Sequence, residues 1–245
     1  MLTVLKKYSI IEPKCVLWLP KVNGQKILRI NKKKFIYLIS PNKILSNQFY
    51  DDLSNIFKSR KISFFQLRLK NTRIERKLAI GKKIKKICKE FRVKLIINDD
   101  PTLAKKINAD GCHLGQNDMS IHKARKIIKN KIIGVTCHNS IKLAKTALRN
   151  KADYIAFGAF NDSKTKKVRF KANINILRLI KKITKIPVVA IGGINQKNYK
   201  KLLLNKANFL AISGYIWNNK KYKPPEAIKK IKWKLTLQKL ELEWF

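Results

Sequence analysis

The sequence predicts an α/β protein: a single parallel (β/α)8 TIM barrel behind an N-terminal extension. Three observations lead there. Eight short runs of Ile, Val, Leu and Phe recur along the chain, several of them continuous rather than alternating, as strands buried on both faces require. Amphipathic stretches rich in lysine separate them. The length, 245 residues, suits one barrel, a fold that runs to about 250 residues.

Residues 1–34 precede the first strand and hold Pro13, Pro20 and the tract Asn31-Lys32-Lys33-Lys34. They are expected to cover the barrel bottom or to be loosely ordered. The barrel domain then spans 35–245. Its strands are expected at Phe35–Ile39, Ser63–Leu67, Lys94–Ile97, Gly111–Leu114, Ile132–Val135, Tyr154–Phe157, Val188–Ile191 and Phe209–Ile212. Between them, Arg73–Phe91 places Ile74, Leu78, Ile80, Ile84, Ile87 and Cys88 mostly at helical steps. Ile121–Lys129, Ile141–Asn150, Ile174–Lys185 and Asn198–Lys206 carry the same pattern. A last helix is expected from Pro224 to Phe245, with proline in its first turn. No internal repeat beyond the βα unit stands out.

Composition excludes several classes. No apolar run approaches the roughly 18 residues that span a membrane. Lys6, Lys7, Glu12 and Lys14 interrupt any secretory apolar region near the start. Cys15, Cys88, Cys112 and Cys137 are scattered with no CxxC pair, against a zinc site or a disulfide scaffold and in favour of a reducing cytoplasm. The net charge is +43, from 57 Lys and Arg against 14 Asp and Glu. Such a balance can mark a nucleic-acid partner. Here the lysines are spread evenly beside many Ile and Asn, all residues with A/T-rich codons. The charge is therefore read as a compositional coat, with RNA binding as a rival from another class.

A (β/α)8 barrel places its chemistry at the C-terminal ends of its strands. After the second strand, alternation sets Gln66, Arg68 and Lys70 on one face. Asn98-Asp99-Asp100 follows the third strand, Gly115-Gln116-Asn117-Asp118 the fourth, and Thr136-Cys137-His138 the fifth. Ser163-Lys164-Thr165-Lys166 follows the sixth strand, Gly192-Gly193 the seventh, and Ser213-Gly214 the eighth. Acids are scarce in this chain, yet Asp99, Asp100 and Asp118 end neighbouring strands. Such carboxylates suit Mg²⁺, which keeps waters and bridges to phosphate oxygens. Arg68, Lys70 and Lys166 around it would hold a pyrophosphate. The glycines after the last two strands suit a second, plain phosphate.

Each feature has a plainer explanation. Either Asp99 or Asp100 is a candidate N-cap before Pro101. His113 inside the fourth strand reads as a packed or hydrogen-bonded barrel residue. Covalent catalysis by Cys137 lacks a well-placed base. Trp217, Trp233 and Trp244 read as helix-packing residues.

Gln66-Leu67-Arg68-Leu69-Lys70, Ile97-Asn98-Asp99, the segment Ala109–Asp118, Gly134-Val135-Thr136, Ser163–Lys166, Pro187–Ile194 and Ile212-Ser213 together resemble the thiamine phosphate synthase family, in its order and spacing over roughly residues 35–217. The resemblance implies a barrel transferase that joins hydroxymethylpyrimidine diphosphate to a phosphorylated hydroxyethylthiazole, releasing pyrophosphate. It implies contacts to the pyrimidine diphosphate from Gln66, Arg68, Lys70, Asn98, Thr136 and Lys166. Mg²⁺ would be bound by Asp99 and Asp118. The thiazole phosphate would be held by Ser163, Thr165, Gly193, Ile212 and Ser213. It also implies dissociative chemistry, in which pyrophosphate leaves before the thiazole nitrogen attacks.

Two departures bear on this. Gly158-Ala159-Phe160-Asn161-Asp162-Ser163 lacks the prolines usual in the family's loop after the sixth strand, and Leu69 stands where Glu is common. A thiazole tautomerase branch shares the barrel but typically lacks the metal and pyrimidine set retained here. Both substrates are small phosphorylated molecules, no membrane contact is expected, and a homo-oligomer is left open.

Overall fold

The computed structural model describes residues 18–22, 25–28, 35–162 and 168–232. Strands β1 (Trp18–Val22) and β2 (Gln25–Leu28) pair antiparallel. The hairpin falls within residues 1–34, read above as an extension, and Asn23-Gly24 is its signal in the sequence. The rest of 1–34 lies outside the described residues.

Eight parallel strands follow and close into a barrel: β3 (Ile36–Ile39), β4 (Ile62–Leu67), β5 (Lys94–Asn98), β6 (Gly111–Leu114), β7 (Ile132–Thr136), β8 (Tyr154–Phe157), β9 (Val188–Ile191) and β10 (Phe209–Ile212), with β10 pairing back on β3. These are the eight strands the sequence predicts, with ends shifted by a residue at most. The connecting helices are α1 (Gln48–Phe57), α2 (Ile74–Glu90), α3 (Pro101–Ile107), α4 (Ile121–Ile128), α5 (Ile141–Arg149), α6 (Asn175–Ile183) and α7 (Tyr199–Leu204); α8 (Gly214–Trp217) and α9 (Pro224–Lys230) follow β10. The last helix is shorter than expected. Ile231 is already extended and fully buried, Lys61 Nζ donates to the carbonyls of Ile228 and Ile231, and the Tyr199 hydroxyl donates to Lys232 O at 2.6 Å. Residues 233–245 lie outside the described residues.

Alternation sorts the strand side chains into two cores. Ile36, Leu38, Phe65, Leu67, Leu95, Ile97, Ile133 and Ile155 pack outward against the helices. Tyr37, Ile39, Phe64, Ile96, Ile132, Tyr154, Val189 and Phe209 fill the barrel interior. The inward set is the one whose next members upward are Gln66, Asn98, His113 and Thr136. Parity therefore carries polar groups to the mouth.

The bottom of the barrel carries a three-residue device that recurs before β6, β8 and β10. Asn108-Ala109-Asp110, Lys151-Ala152-Asp153 and Lys206-Ala207-Asn208 each open with a left-handed residue (φ 56°, 59° and 74°) that ends a helix. The buried alanine donates its N–H to a carbonyl of that helix. The third side chain then accepts the N–H of a residue at the start of the preceding strand: Leu95 at 2.9 Å, Ile133 at 2.8 Å and Val188 at 2.8 Å. This repeat is short enough to escape notice in the sequence. Asp110 and Asp153 also hold cations, Lys85 and Lys94 for the first and Arg125 for the second.

The amide of Asn208 does the same capping without charge, so the cap and the ion pair at Asp153 are separable. Asp153→Ala is expected to cost about 1–3 kcal/mol by stranding the Ile133 N–H and Arg125. Asp153→Asn, which keeps the acceptor, is expected to lose less in urea denaturation.

Candidate active site

The mouth is assembled from the ends of β3 to β7. Gln66, the inward residue at the end of β4, is buried, and its Nε2 donates to Asn98 Oδ1 at 2.6 Å at the end of β5. The two amides orient one another and form the floor. One step higher, Arg68 is half-buried and Lys70 exposed. Arg68 is held by the loop after β3: its N–H donates to Ser40 Oγ at 2.9 Å and its Nη1 to Asn42 Oδ1 at 2.5 Å. Ser213 Oγ donates to Ser40 O at 3.2 Å and Trp217 Nε1 to Ile39 O at 2.7 Å, so the same loop is fastened to the barrel's last strand and α8.

The chain leaves β5 through Asp99 with φ 63°, its N–H donating to His113 O at 2.8 Å. Asp100 then caps α3, Oδ1 accepting Leu103 N–H at 2.8 Å ahead of Pro101. Of the two cap candidates, Asp100 takes the role, and the Asp99 carboxyl is left to the mouth. There it meets Asp118, whose Oδ2 accepts Gly115 N–H at 2.6 Å. A Cβ on Gly115 would lie 2.9 Å from that oxygen, so a larger residue there would push the Asp118 carboxyl aside. Burial, and then the neighbouring Asp118 carboxyl, push the Asp99 pKa up to about 6, against the opposing pull of Lys70 and Arg68. Two neighbouring carboxyls beside Arg68 and Lys70 could serve as donors to a hard dication, which takes its remaining ligands from water and substrate. Among the described residues no group of three or more His, Cys, Asp or Glu could hold a metal unaided.

Thr136 ends β7. Its Oγ1 lies 2.7 Å from His113 Nε2, and its carbonyl accepts the Gln116 side-chain N–H. His113 is indeed a hydrogen-bonded barrel residue: Nδ1 lies 2.9 Å from the Tyr154 hydroxyl, and burial lowers its pKa to about 4, so the ring is neutral at pH 7. Cys137 is buried, and burial pushes its thiol up to about 12, far from a thiolate nucleophile. His138 packs its ring against Phe170 at 4.3 Å. Trp217 packs on Phe49, ring centroids 5.1 Å apart, as a helix-packing residue does.

The far side of the mouth is formed by the ends of β8 to β10. Gly192 (φ 105°) and Gly193 (φ 58°) lie against the loop after β8: a Cβ on Gly193 would meet Asp162 O at 2.2 Å, and Asn161 N–H donates to Gly192 O at 3.2 Å. Packing by that loop is a sufficient reason for the glycines. The arms of the loop are tied where Ala159 N–H donates to Phe170 O and Ala172 N–H to Ala159 O, at 2.8 and 2.9 Å. Ile212 points its side chain into the outer core, so only its main chain can face a ligand. Ser163, Thr165 and Lys166 lie outside the described residues, as do Trp233 and Trp244. Ser40, Asn42 and Gln116 are mouth residues that the sequence reading left without a role. Ser40-Pro41-Asn42 directly follows the first strand, and none of the three is charged.

The fold and this site define a (β/α)8-barrel enzyme with an acid pair and two cations at its mouth. The sequence profile described as thiamine monophosphate synthase matches residues 36–216. A thiamine-phosphate synthase of Pelagibacter ubique is 70% identical over 204 residues, 83% of this chain and 98% of that protein. One of Nitrosomonas eutropha is 42% identical over 158 residues, 64% and 74% of the respective lengths. The solved thiamine phosphate pyrophosphorylase from Pyrococcus furiosus superposes with a TM-score of 0.71 at 26% identity, covering 86% of this chain and 97% of its own. This chain belongs to the thiamine monophosphate synthase family and is a transferase of thiamine biosynthesis.

The raised Asp99 pKa gives a pH test on the metal-free protein. Below about pH 4 the carboxyl is protonated in both states; between there and about 6 the folded state keeps a proton that the unfolded chain has released. Stability contributed by Asp99 therefore falls as pH rises through that window and stays low above it. In the presence of EDTA, Asp99→Asn is expected to melt above the parent near pH 7, with the gap closing towards pH 4. An equal gap at both pH values would assign the titration elsewhere.

Proposed function

We propose that this mouth condenses 4-amino-2-methyl-5-hydroxymethylpyrimidine diphosphate with 4-methyl-5-(2-phosphoethyl)thiazole, giving thiamine phosphate and pyrophosphate. The observation that carries the reading is the Asp99–Asp118 pair, flanked by Arg68 and Lys70 above the Gln66–Asn98 amides. Family membership makes that chemistry the natural use of the arrangement. Asp99 and Asp118 would hold Mg²⁺, which when bound supplies positive charge to a departing diphosphate. Gln66, Asn98 and Thr136 orient the pyrimidine diphosphate by hydrogen bonds. Arg68 and Lys70, with Lys166 from the loop after β8, meet charge that grows as the methylene carbon–oxygen bond breaks and both electrons leave with pyrophosphate. The thiazole nitrogen lone pair then forms the new carbon–nitrogen bond. Ser163, Thr165, Ser213 and the main chain of Gly193 and Ile212 are assigned to its phosphate. No step needs a general base, in keeping with a neutral, fully bonded His113 and a protonated Cys137.

Among the described residues the cysteines, Cys88, Cys112 and Cys137, are free and buried, which suits a cytoplasmic enzyme. No described helix is long and apolar enough to cross a membrane.

Incubation with both phosphorylated substrates and Mg²⁺ tests the reading directly. Thiamine phosphate is the expected product, whereas a thiazole tautomerase would form none. Asp99→Ala and Asp118→Ala are each expected to lose about 10²-fold or more in turnover while keeping the parental circular dichroism. Full activity in either variant would sink the metal assignment.

Salt separates the roles of the surface charge. Turnover at low substrate is expected to weaken as ionic strength rises, because both substrates are anions. Binding of unrelated RNA that survives ~0.2 M salt would instead favour a nucleic-acid role.

A further inference from the structure

We infer that the buried hydroxyls of Tyr37 and Tyr154 set the proton on Nε2 of His113, and that this leaves Thr136 as a hydrogen-bond donor to the departing diphosphate. The inference rests on the contact between Thr136 and the pyrimidine diphosphate proposed above.

Four groups form one chain from the barrel centre to its mouth. The Tyr37 hydroxyl lies 2.7 Å from that of Tyr154, Tyr154 lies 2.9 Å from His113 Nδ1, and His113 Nε2 lies 2.7 Å from Thr136 Oγ1. With a neutral imidazole the chain holds four protons and has three contacts to fill, so one proton is left over. If the Tyr37 hydroxyl donates to Tyr154, Tyr154 to Nδ1, and Nε2–H to Thr136, the spare proton is that of Thr136, at the open end. If every bond runs the other way, the spare proton is that of Tyr37. Its side chain is 2% exposed, it sits beside Phe64, and among the described residues its hydrogen-bond partner is Tyr154. A mixed order strands the Tyr154 proton, which is equally buried. A buried donor without an acceptor costs more than an ordinary hydrogen bond contributes, so the chain runs outward. The Thr136 hydroxyl then accepts from His113 and donates to whatever binds above it.

The placement is built into the barrel. A Cβ on Gly134, opposite Tyr154 in the β7–β8 register, would lie 1.8 Å from the phenol Cζ. Glycine there makes room for the ring, which stacks on His113 with an interplanar angle of 19°. His113, Tyr154 and Tyr37 are thus positioning residues that act through Thr136.

Two measurements test this on the full chain. In ¹⁵N-labelled protein, the His113 ring is expected to show a protonated Nε2 and an unprotonated Nδ1. A protonated Nδ1 beside a bare Nε2 overturns the inference, with no variant required. The second is a double-mutant cycle on kcat. Thr136→Val and His113→Leu are each expected to lower kcat about 10-fold or more, and Thr136→Ser to stay near the parent. The double variant His113→Leu/Thr136→Val is expected to fall no further than Thr136→Val. Additive losses would make His113 merely structural and overturn its positioning role. Parental activity in Thr136→Val would remove the underlying substrate contact, a failure distinct from a wrong tautomer.

Discussion

Closing eight parallel strands into a ring forces alternate side chains into one shared interior that they must fill, and this constraint orders the rest of the molecule. The lower interior is filled by Tyr37, Phe64, Ile96, Ile132, Tyr154 and Phe209. The same inward parity, carried one or two residues further along each strand, delivers Gln66, Asn98, His113 and Thr136 to the upper end. No separate mechanism is needed to gather the polar residues. They lie on the inward face of strands whose lower positions already fix the register, and a one-residue slip would send them to the helices. Ile212 shows the rule from the other side, since its outward parity limits it to main-chain contacts.

Most of the barrel was legible because strands buried on both faces leave continuous Ile/Val/Leu/Phe runs with little competition from the lysine-rich spacers. What was missed has local causes. Helices α1, α3 and α8 were not expected; α3 and α8 have 7 and 4 residues, too few for a helical period to show clearly. The overlong final helix was read from spacing alone, and spacing does not show that Lys61 closes the last carbonyls at Ile228 and Ile231. In the site, the residues that strand ends carry were readable, and Asp99, Asp118, Arg68 and Lys70 do converge. Two things were not readable. The choice between Asp99 and Asp100 as helix cap depended on one backbone turn with φ 63°. The link from Thr136 back to Tyr37 joins residues 99 positions apart across four strands, a contact that only the closed ring creates.

The acidic residues are the clearest case of position deciding chemistry. At the bottom, burial would raise the Asp110 carboxyl, but Lys85 at 2.6 Å, the Leu95 N–H and Lys94 outweigh it and hold the group below the usual carboxylate range. At the mouth, Asp99 is also partly buried and also near two cations, yet it shifts the opposite way. The difference is geometric. Arg68 directs Nη1 to Asn42 instead, Lys70 is exposed, and Asp118 adds a like charge. Among the described residues neither carboxyl of the mouth pair is ion-paired. Nearby ammonium groups would neutralise it unless the fold kept them back. The loop after β3 does that for Arg68, through Ser40 and Asn42. The bottom acids are thereby matched to the folded protein alone, and in the function proposed above the mouth acids answer a charge that arrives with the ligand. This division of stability and function between the two ends of one barrel follows from which cations the strands and loops allow to approach.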